Sequence, residues 1–246
     1  MRQPLAIVQI VRRSDQGATQ PFHCRCEDGR LYFVKGRSAG PRSLLCEWLA
    51  GHLARALGLP VPEFAVVKAP PELLSAHTQG AELGLLPAFA SHAVAITREL
   101  VPLYLEQVNE ELKRELAVFD WWIRNQDRTL STNSGNPNLL WDDAENRLVV
   151  IDHNLAFDRD FDARAFIETH VFGSSLIALR DDDAAQERLL RKLRAAKGVW
   201  AQACNDAPAD WWFADEERTI PVDFDRDAAL SLLNRCETMD FWRFEA

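Results

Sequence analysis

The stretch Asn125-Gln126-Asp127-Arg128, followed by Asn138-Leu139-Leu140-Trp141 and then Val149-Val150-Ile151-Asp152-His153, decides how this chain is read. It sets Asp, Asn and Asp, in that order, in a loop, strand, turn, strand context, with Asp142-Asp143-Ala144-Glu145-Asn146 as the turn. Phosphoryl transfer from ATP needs such a set. One carboxylate orients the attacking hydroxyl, while an amide oxygen and a second carboxylate hold magnesium. Asp127 follows the aromatic helical run Phe119-Asp120-Trp121-Trp122-Ile123, and a packed helix end is a rigid support for a catalytic carboxylate. Asp120 itself reads as a solvated or hydrogen-bonding helix residue. Asn138 enters the Leu-Leu strand directly, and Asn133 and Asn136 compete with it, although turn chemistry alone explains any one of them. Asp152 ends an apolar strand, where a carboxylate is costly unless a metal or hydrogen bonds satisfy it. His153 reads as a satisfied or supporting histidine, since magnesium prefers oxygen.

Working outward toward the N-terminus, residues 5–13, Phe22–Cys26 and Leu31–Lys35 read as three short strands. The polar turn Ser14–Pro21 and the Asp28-Gly29 hairpin signal separate them, so an antiparallel sheet is expected. Leu44, Leu45, Trp48, Leu49, Leu53, Ala56 and Leu57 recur at helical spacing until Gly58 stops the run, with Ser43 or the preceding loop as its cap. Glu63–Val67 is expected as a fourth strand and Phe89–Ile96 as a fifth. Beyond about residue 98 the pattern is helical over Leu100–Asn125, Ala184–Cys204 and Asp227–Cys236. A strand-rich first third and a helix-rich remainder predict an α+β fold of two lobes with a cleft between them, divided as 1–92 and 93–246. Lys35 ends the third strand and Glu47 lies on the helix after it. A lysine there can reach ATP phosphates, with the glutamate orienting it; a strand-end lysine in solvent and an exposed glutamate opposite the leucine stripe are the plain alternatives. The loop with Ser14, Gly17 and Thr19 could cover phosphates with backbone N–H groups, but it lacks a G-x-G-x-x-G pattern and also reads as an ordinary hairpin loop.

Composition narrows the function classes. With 47% apolar residues, eight Trp and thirteen Phe, a substantial core is available in 246 residues. A net charge of −9 and the lack of a Lys/Arg run argue against a nucleic-acid backbone as partner. They leave ATP open, because magnesium shields its phosphates. No window approaches a membrane span, and the first ten residues are too interrupted for a secretory signal. The five cysteines read as reduced cytoplasmic thiols, since Cys24 and Cys26 alternate on one strand face without a metal-binding spacing.

With Lys35, Glu47, Asn125-x-Asp127-Arg128, Asn138-Leu139-Leu140-Trp141 and Ile151-Asp152-His153 assembled, the chain resembles the HipA-like kinases, closest to the short stand-alone bacterial type. Asn-Pro-Asn-Leu-Leu-Trp, Ile-Asp-His-Asn-Leu-Ala-Phe and the late segment Ala207-Pro208-Ala209-Asp210-Trp211 carry the likeness through most of the chain. The Asn-x-Asp-Arg element is also similar to type II phosphatidylinositol 4-kinases. The resemblance implies a protein-kinase-like fold, with a small antiparallel-sheet lobe bearing one helix and a larger helical lobe, binding Mg²⁺ and ATP. It implies that Asp127 accepts or orients the substrate hydroxyl proton and that Asn138 and Asp152 hold magnesium. Lys35 would contact the α/β-phosphates, Glu47 would position it, and residues 85–95 would supply the adenine hinge. One departure stands out. Asp127 and Asn138 are eleven residues apart, where the eukaryotic kinase signature has about five. The metal-binding amide is therefore Asn138 or Asn136, with Asn138 preferred for its entry into the strand. The expected activity is serine/threonine protein kinase, on an unidentified protein substrate. A silent nucleotide-binding interaction module and a lipid or small-molecule kinase are the alternatives.

Overall fold

The computed structural model describes residues 3–14, 20–95, 97–100, 102–130 and 135–245. Contacts gather the chain into two compact units, each built from more than one stretch. One comprises Met1–Trp48, Pro62–Val94 and Gln202–Phe224; the other Leu49–Val61, Ala95–Ala201 and Asp225–Ala246.

The first unit is a closed barrel. Its strands are β1 (Leu5–Arg13), β2 (Phe22–Cys26), β3 (Leu31–Lys35), β4 (Phe64–Lys68) and β5 (Ala88–His92), in the order β1-β2-β3-β5-β4. Alternation drives it: Phe22, Cys24 and Cys26 of β2 and Tyr32 and Val34 of β3 point into one core with Ile7, Val67 and Ala90. The expected antiparallel pairing holds for four of the five contacts between strands. The fifth differs, because β1 meets β4 in parallel, Leu5 opposite Val67. Two register shifts in the β1–β2 ladder bend the sheet enough to close it. Burial pushes the Cys24 and Cys26 thiols up to about 12, so they stay protonated as small core residues.

Helix α1 (Pro41–Leu57) begins on a proline and stops at Gly58, whose φ is +96°. Ser43 lies inside the helix and is not its cap; the Gly40 carbonyl accepts from Leu44 N at 3.2 Å instead. The barrel unit holds more than the one expected helix, because α2 (Pro71–Ala76) and α3 (Gly80–Leu83) fill the β4–β5 connection. Gly36, just past Lys35, packs so closely on α3 that a Cβ would lie 2.2 Å from the Leu83 carbonyl oxygen. The Ala207–Trp211 segment, expected in the helical lobe, belongs with the barrel. Trp211 Nε1 donates to the Pro87 carbonyl at 2.8 Å, and the Trp48 ring meets Trp211 edge-on.

The second unit carries β6 (Thr97–Glu99), α4 (Pro102–Leu105), α5 (Glu110–Ile123), β7 (Leu139–Asp142), β8 (Arg147–Val150), α6 (Ala163–Thr169), α7 (Gly173–Ile177), α8 (Asp183–Lys197) and α10 (Arg226–Asn234). Helix α9 (Trp200–Asp206) bridges the boundary in sequence. The expected strand over 89–96 is shorter, ending at His92 as β5 of the barrel, and a further strand not expected from the sequence, β6, is the edge of an antiparallel β6-β7-β8 sheet. The single expected helix over 184–204 breaks between α8 and α9, where Gly198 N and Val199 N bond three residues back. Asn109 caps α5 by accepting from Leu112 N, and Trp122 Nε1 donates to the Leu233 carbonyl, which anchors the helix to α10. Among the described residues no helix is long and apolar enough to cross a membrane.

Candidate functional site

Among the described residues, each unit buries a cluster of polar groups, and between them the two clusters hold most of the residues singled out in the sequence. In the barrel unit, Lys35 ends β3 with its Nζ 2.6 Å from Glu47 Oε1 on α1. Neither is in solvent: the side chains keep 10% and 4% of their surface. The exposed alternative for Glu47 fails because the middle of α1, from Leu44 to Gly51, is buried on every side. Ser14 follows β1, and its N–H donates to the Pro21 carbonyl at 2.9 Å, closing the base of the connection to β2. Gly17 and Thr19 lie outside the described residues.

The second cluster is organised by Asp120 and Arg128, both fully buried. Asp120 Oδ2 accepts from Arg128 Nε at 2.7 Å, and Asp120 Oδ1 accepts from Asn125 Nδ2 at 2.9 Å. His170 Nδ1 accepts from Phe172 N at 3.1 Å, which assigns its proton to Nε2 and makes Nε2 the donor to Asp120 Oδ2 at 3.0 Å. Burial alone would raise the Asp120 carboxyl. The Arg128 charge and the hydrogen bonds from His170 and Arg128 outweigh it and hold the group well below the usual carboxylate range. Burial likewise pushes His170 below its ordinary value, so it is neutral. Asp120 is thus a hydrogen-bonding residue, not a solvated one.

Arg128 carries this order to the loop ends. Its Nη1 donates to the carbonyls of Pro137, Asn138 and Ile151 at 3.2, 2.7 and 3.2 Å. The Ile151 N–H also donates to the Asn138 carbonyl, so the entry to β7 and the exit from β8 are tied side by side. Asn138 and Asp152, the residues carrying the candidate metal oxygens, both adopt left-handed backbone, with φ of 48° and 58°. Such strain in non-glycine residues persists only where the surroundings dictate it. Asn138 Nδ2 donates to Asp127 Oδ2 at 2.8 Å, across the lengthened loop. Asn136 is exposed, and its carbonyl accepts from Thr129 N. His153 is buried with its ring edge-on to Phe119.

Asp127, Asn138 and Asp152 therefore come to one end of the β7–β8 hairpin, with Arg128 as the strut. Sequence reasoning gave Arg128 no role and did not single out His170. Arg128 lies eight residues from Asp120, past the end of α5, where no helical pairing rule applies. His170 is a lone histidine with no motif around it. Among the described residues no group of three or more His, Cys, Asp or Glu is placed to hold a metal ion.

The family model for HipA-like kinases matches residues 7–245. The crystal structure of the Helicobacter pylori proinflammatory kinase CtkA is similar, with a TM-score of 0.61 and 12% identity over 98% of this chain and 97% of that one. The crystal structure of the Golgi casein kinase is similar with a TM-score of 0.50 and 13% identity, over 98% of this chain and 71% of that one. No curated protein matches the sequence.

Proposed function

The chain belongs to the HipA-like kinase family, and from that premise we propose that it transfers the γ-phosphate of ATP, with magnesium, to a serine or threonine hydroxyl of a protein. The observation that carries this reading is the Asn138 to Asp127 hydrogen bond at 2.8 Å. It joins the proton-handling carboxylate to the amide beside Asp152, despite the eleven-residue spacing that favoured a silent module.

The donor set suits magnesium. Asn138 spends Nδ2 on Asp127, which leaves its Oδ1 for a hard cation, and Asp152 adds carboxylate oxygen. Few protein ligands are needed, because magnesium keeps waters and takes phosphate oxygens. Bound there, it would neutralise charge on the β- and γ-phosphate oxygens. Asn138 also fixes the rotamer of Asp127, so the carboxylate meets the acceptor hydroxyl in one orientation. Lys35, held by Glu47, serves the α/β-phosphates. The direct test is transfer of radiolabelled phosphate from ATP by the wild-type chain, Asp127→Asn and Asp152→Asn. Loss of transfer in both variants is expected, and turnover that survives both overturns the assignment. Label recovered in lipid instead of phosphoserine or phosphothreonine would overturn the protein acceptor alone.

A further inference from the structure

Arg124 and Arg235 share a half-buried corner of the second unit. Arg124 ends α5 in the left-handed conformation, and its guanidinium lies over the Phe161 ring at 5.8 Å. Its Nε is buried, and its guanidinium makes no hydrogen bond or ion pair with a described residue. Arg235, just past α10, lies over Phe241 at 5.9 Å. Among the described residues its guanidinium donates to two carbonyls, Leu232 at 3.4 Å and Trp121 at 3.5 Å, both long. Trp121 links the pair, since its ring also packs on Phe161. Burial first, and then the Arg124 charge, lower Arg235 to about 10.

The plain account is that both arginines complement the C-terminal end of α5. That end offers only about half a negative charge, whereas two arginines are placed at it: Arg124 is its cap, and Arg235 Nη2 lies 3.5 Å from the Trp121 carbonyl in its last turn. Three other arginines of the same unit have carboxylates, Arg114 with Asp182, Arg128 with Asp120 and Arg194 with Glu237, while Arg180 donates to the Phe244 carbonyl. Among the described residues neither Arg124 nor Arg235 has one. A single carboxylate would balance one of the two charges. A phosphate monoester, carrying close to two negative charges at neutral pH, balances both, and guanidinium forks match its oxygens.

We propose that Arg124 and Arg235 form an anion subsite for a phosphate group. It lies on the flank where Gln126 Oε1 accepts from the Asp162 N–H at the start of α6. Its use, which rests on the kinase reading above, is to hold a phosphate already present on the acceptor chain.

Calorimetric titration of the full chain with inorganic phosphate, with a phosphoserine peptide and with the unphosphorylated peptide tests the site. Saturable binding of phosphate is expected, weakened about ten-fold or more in Arg124→Gln and in Arg235→Gln and unchanged in Asp127→Asn. Preference for the phosphopeptide assigns the phosphate to a protein chain, and preference for the free ion assigns it to solution; either supports the subsite. No binding to the wild-type chain, equal binding by both arginine variants, or loss in Asp127→Asn overturns it. Arg235→Lys keeps charge and stem. Binding between that of wild type and Arg235→Gln, at an unchanged thermal midpoint, separates lost recognition from lost fold. Phosphate binding by a chain that transfers no phosphate would sink the kinase reading and leave the subsite standing.

Discussion

Lys35–Glu47 in the barrel unit and Asp120–Arg128 in the hairpin unit are both buried ion pairs, at 2.6 and 2.7 Å. They differ in what surrounds them. Lys35 keeps a tenth of its side-chain surface and is the last residue of a strand. Arg128 keeps none; its Nε holds one carboxylate and its Nη1 three carbonyls, while its Nη2 is buried without a partner among the described residues. A flexible, hydrated ammonium can exchange its partner for a phosphate, while a guanidinium fixed at several points cannot move without dismantling what it holds. The first pair is suited to a ligand and the second to the geometry of other residues.

The largest effect that would break this contrast is thermodynamic. Asp120→Asn leaves the Arg128 charge buried without its counter-ion and is expected to cost about 3–5 kcal/mol in urea unfolding. Equal stability with wild type would mean that the cluster is not a strut. Lys35→Met is expected to lower kcat/KM for phosphate transfer by about 10²–10³-fold. Adding Glu47→Leu should recover stability lost in the single variant but not activity; recovery of both would make this pair structural too.

Next in size, Asn138→Ala should raise the magnesium concentration needed for half-maximal transfer by about 10- to 100-fold, while Asn136→Ala leaves it within about two-fold. The reverse result would move the metal site to the exposed residue. The smallest effect is in pH. His170 is lowered in the folded state, so its contribution to stability is complete above the ordinary histidine value of 6.5 and declines as pH falls below it. Asp120 is also lowered, so its contribution holds above the ordinary carboxylate value of 3.8 and is lost further into acid. His170→Gln should flatten the first decline and leave the second, read from urea midpoints between pH 7 and 3.

Much of this was legible along the chain. The first three strands, α1 ending at Gly58, and the β7–β8 hairpin follow from alternation, helical spacing and turn residues, all set by near neighbours. Asp127, Asn138 and Asp152 were readable as a candidate set, and the structure brings Asn138 Nδ2 to Asp127 and ties Asn138 beside Ile151. The break at Gly198 was missed because the apolar periodicity runs on through it, and α6 and α7 are too short to show a period of their own.

What the residues determine alone is thus the inventory: which groups are present, on which kind of element, and in what order. Tertiary structure alone decided the parallel closure of β1 on β4, the return of Trp211 to the barrel, the burial of Glu47, and the meeting of His170 with Asp120 across fifty residues. The reason is physical. Periodicity records how a segment bonds to itself and which face it hides. The partner of a buried charge is chosen by whichever distant group packing brings within about 3 Å.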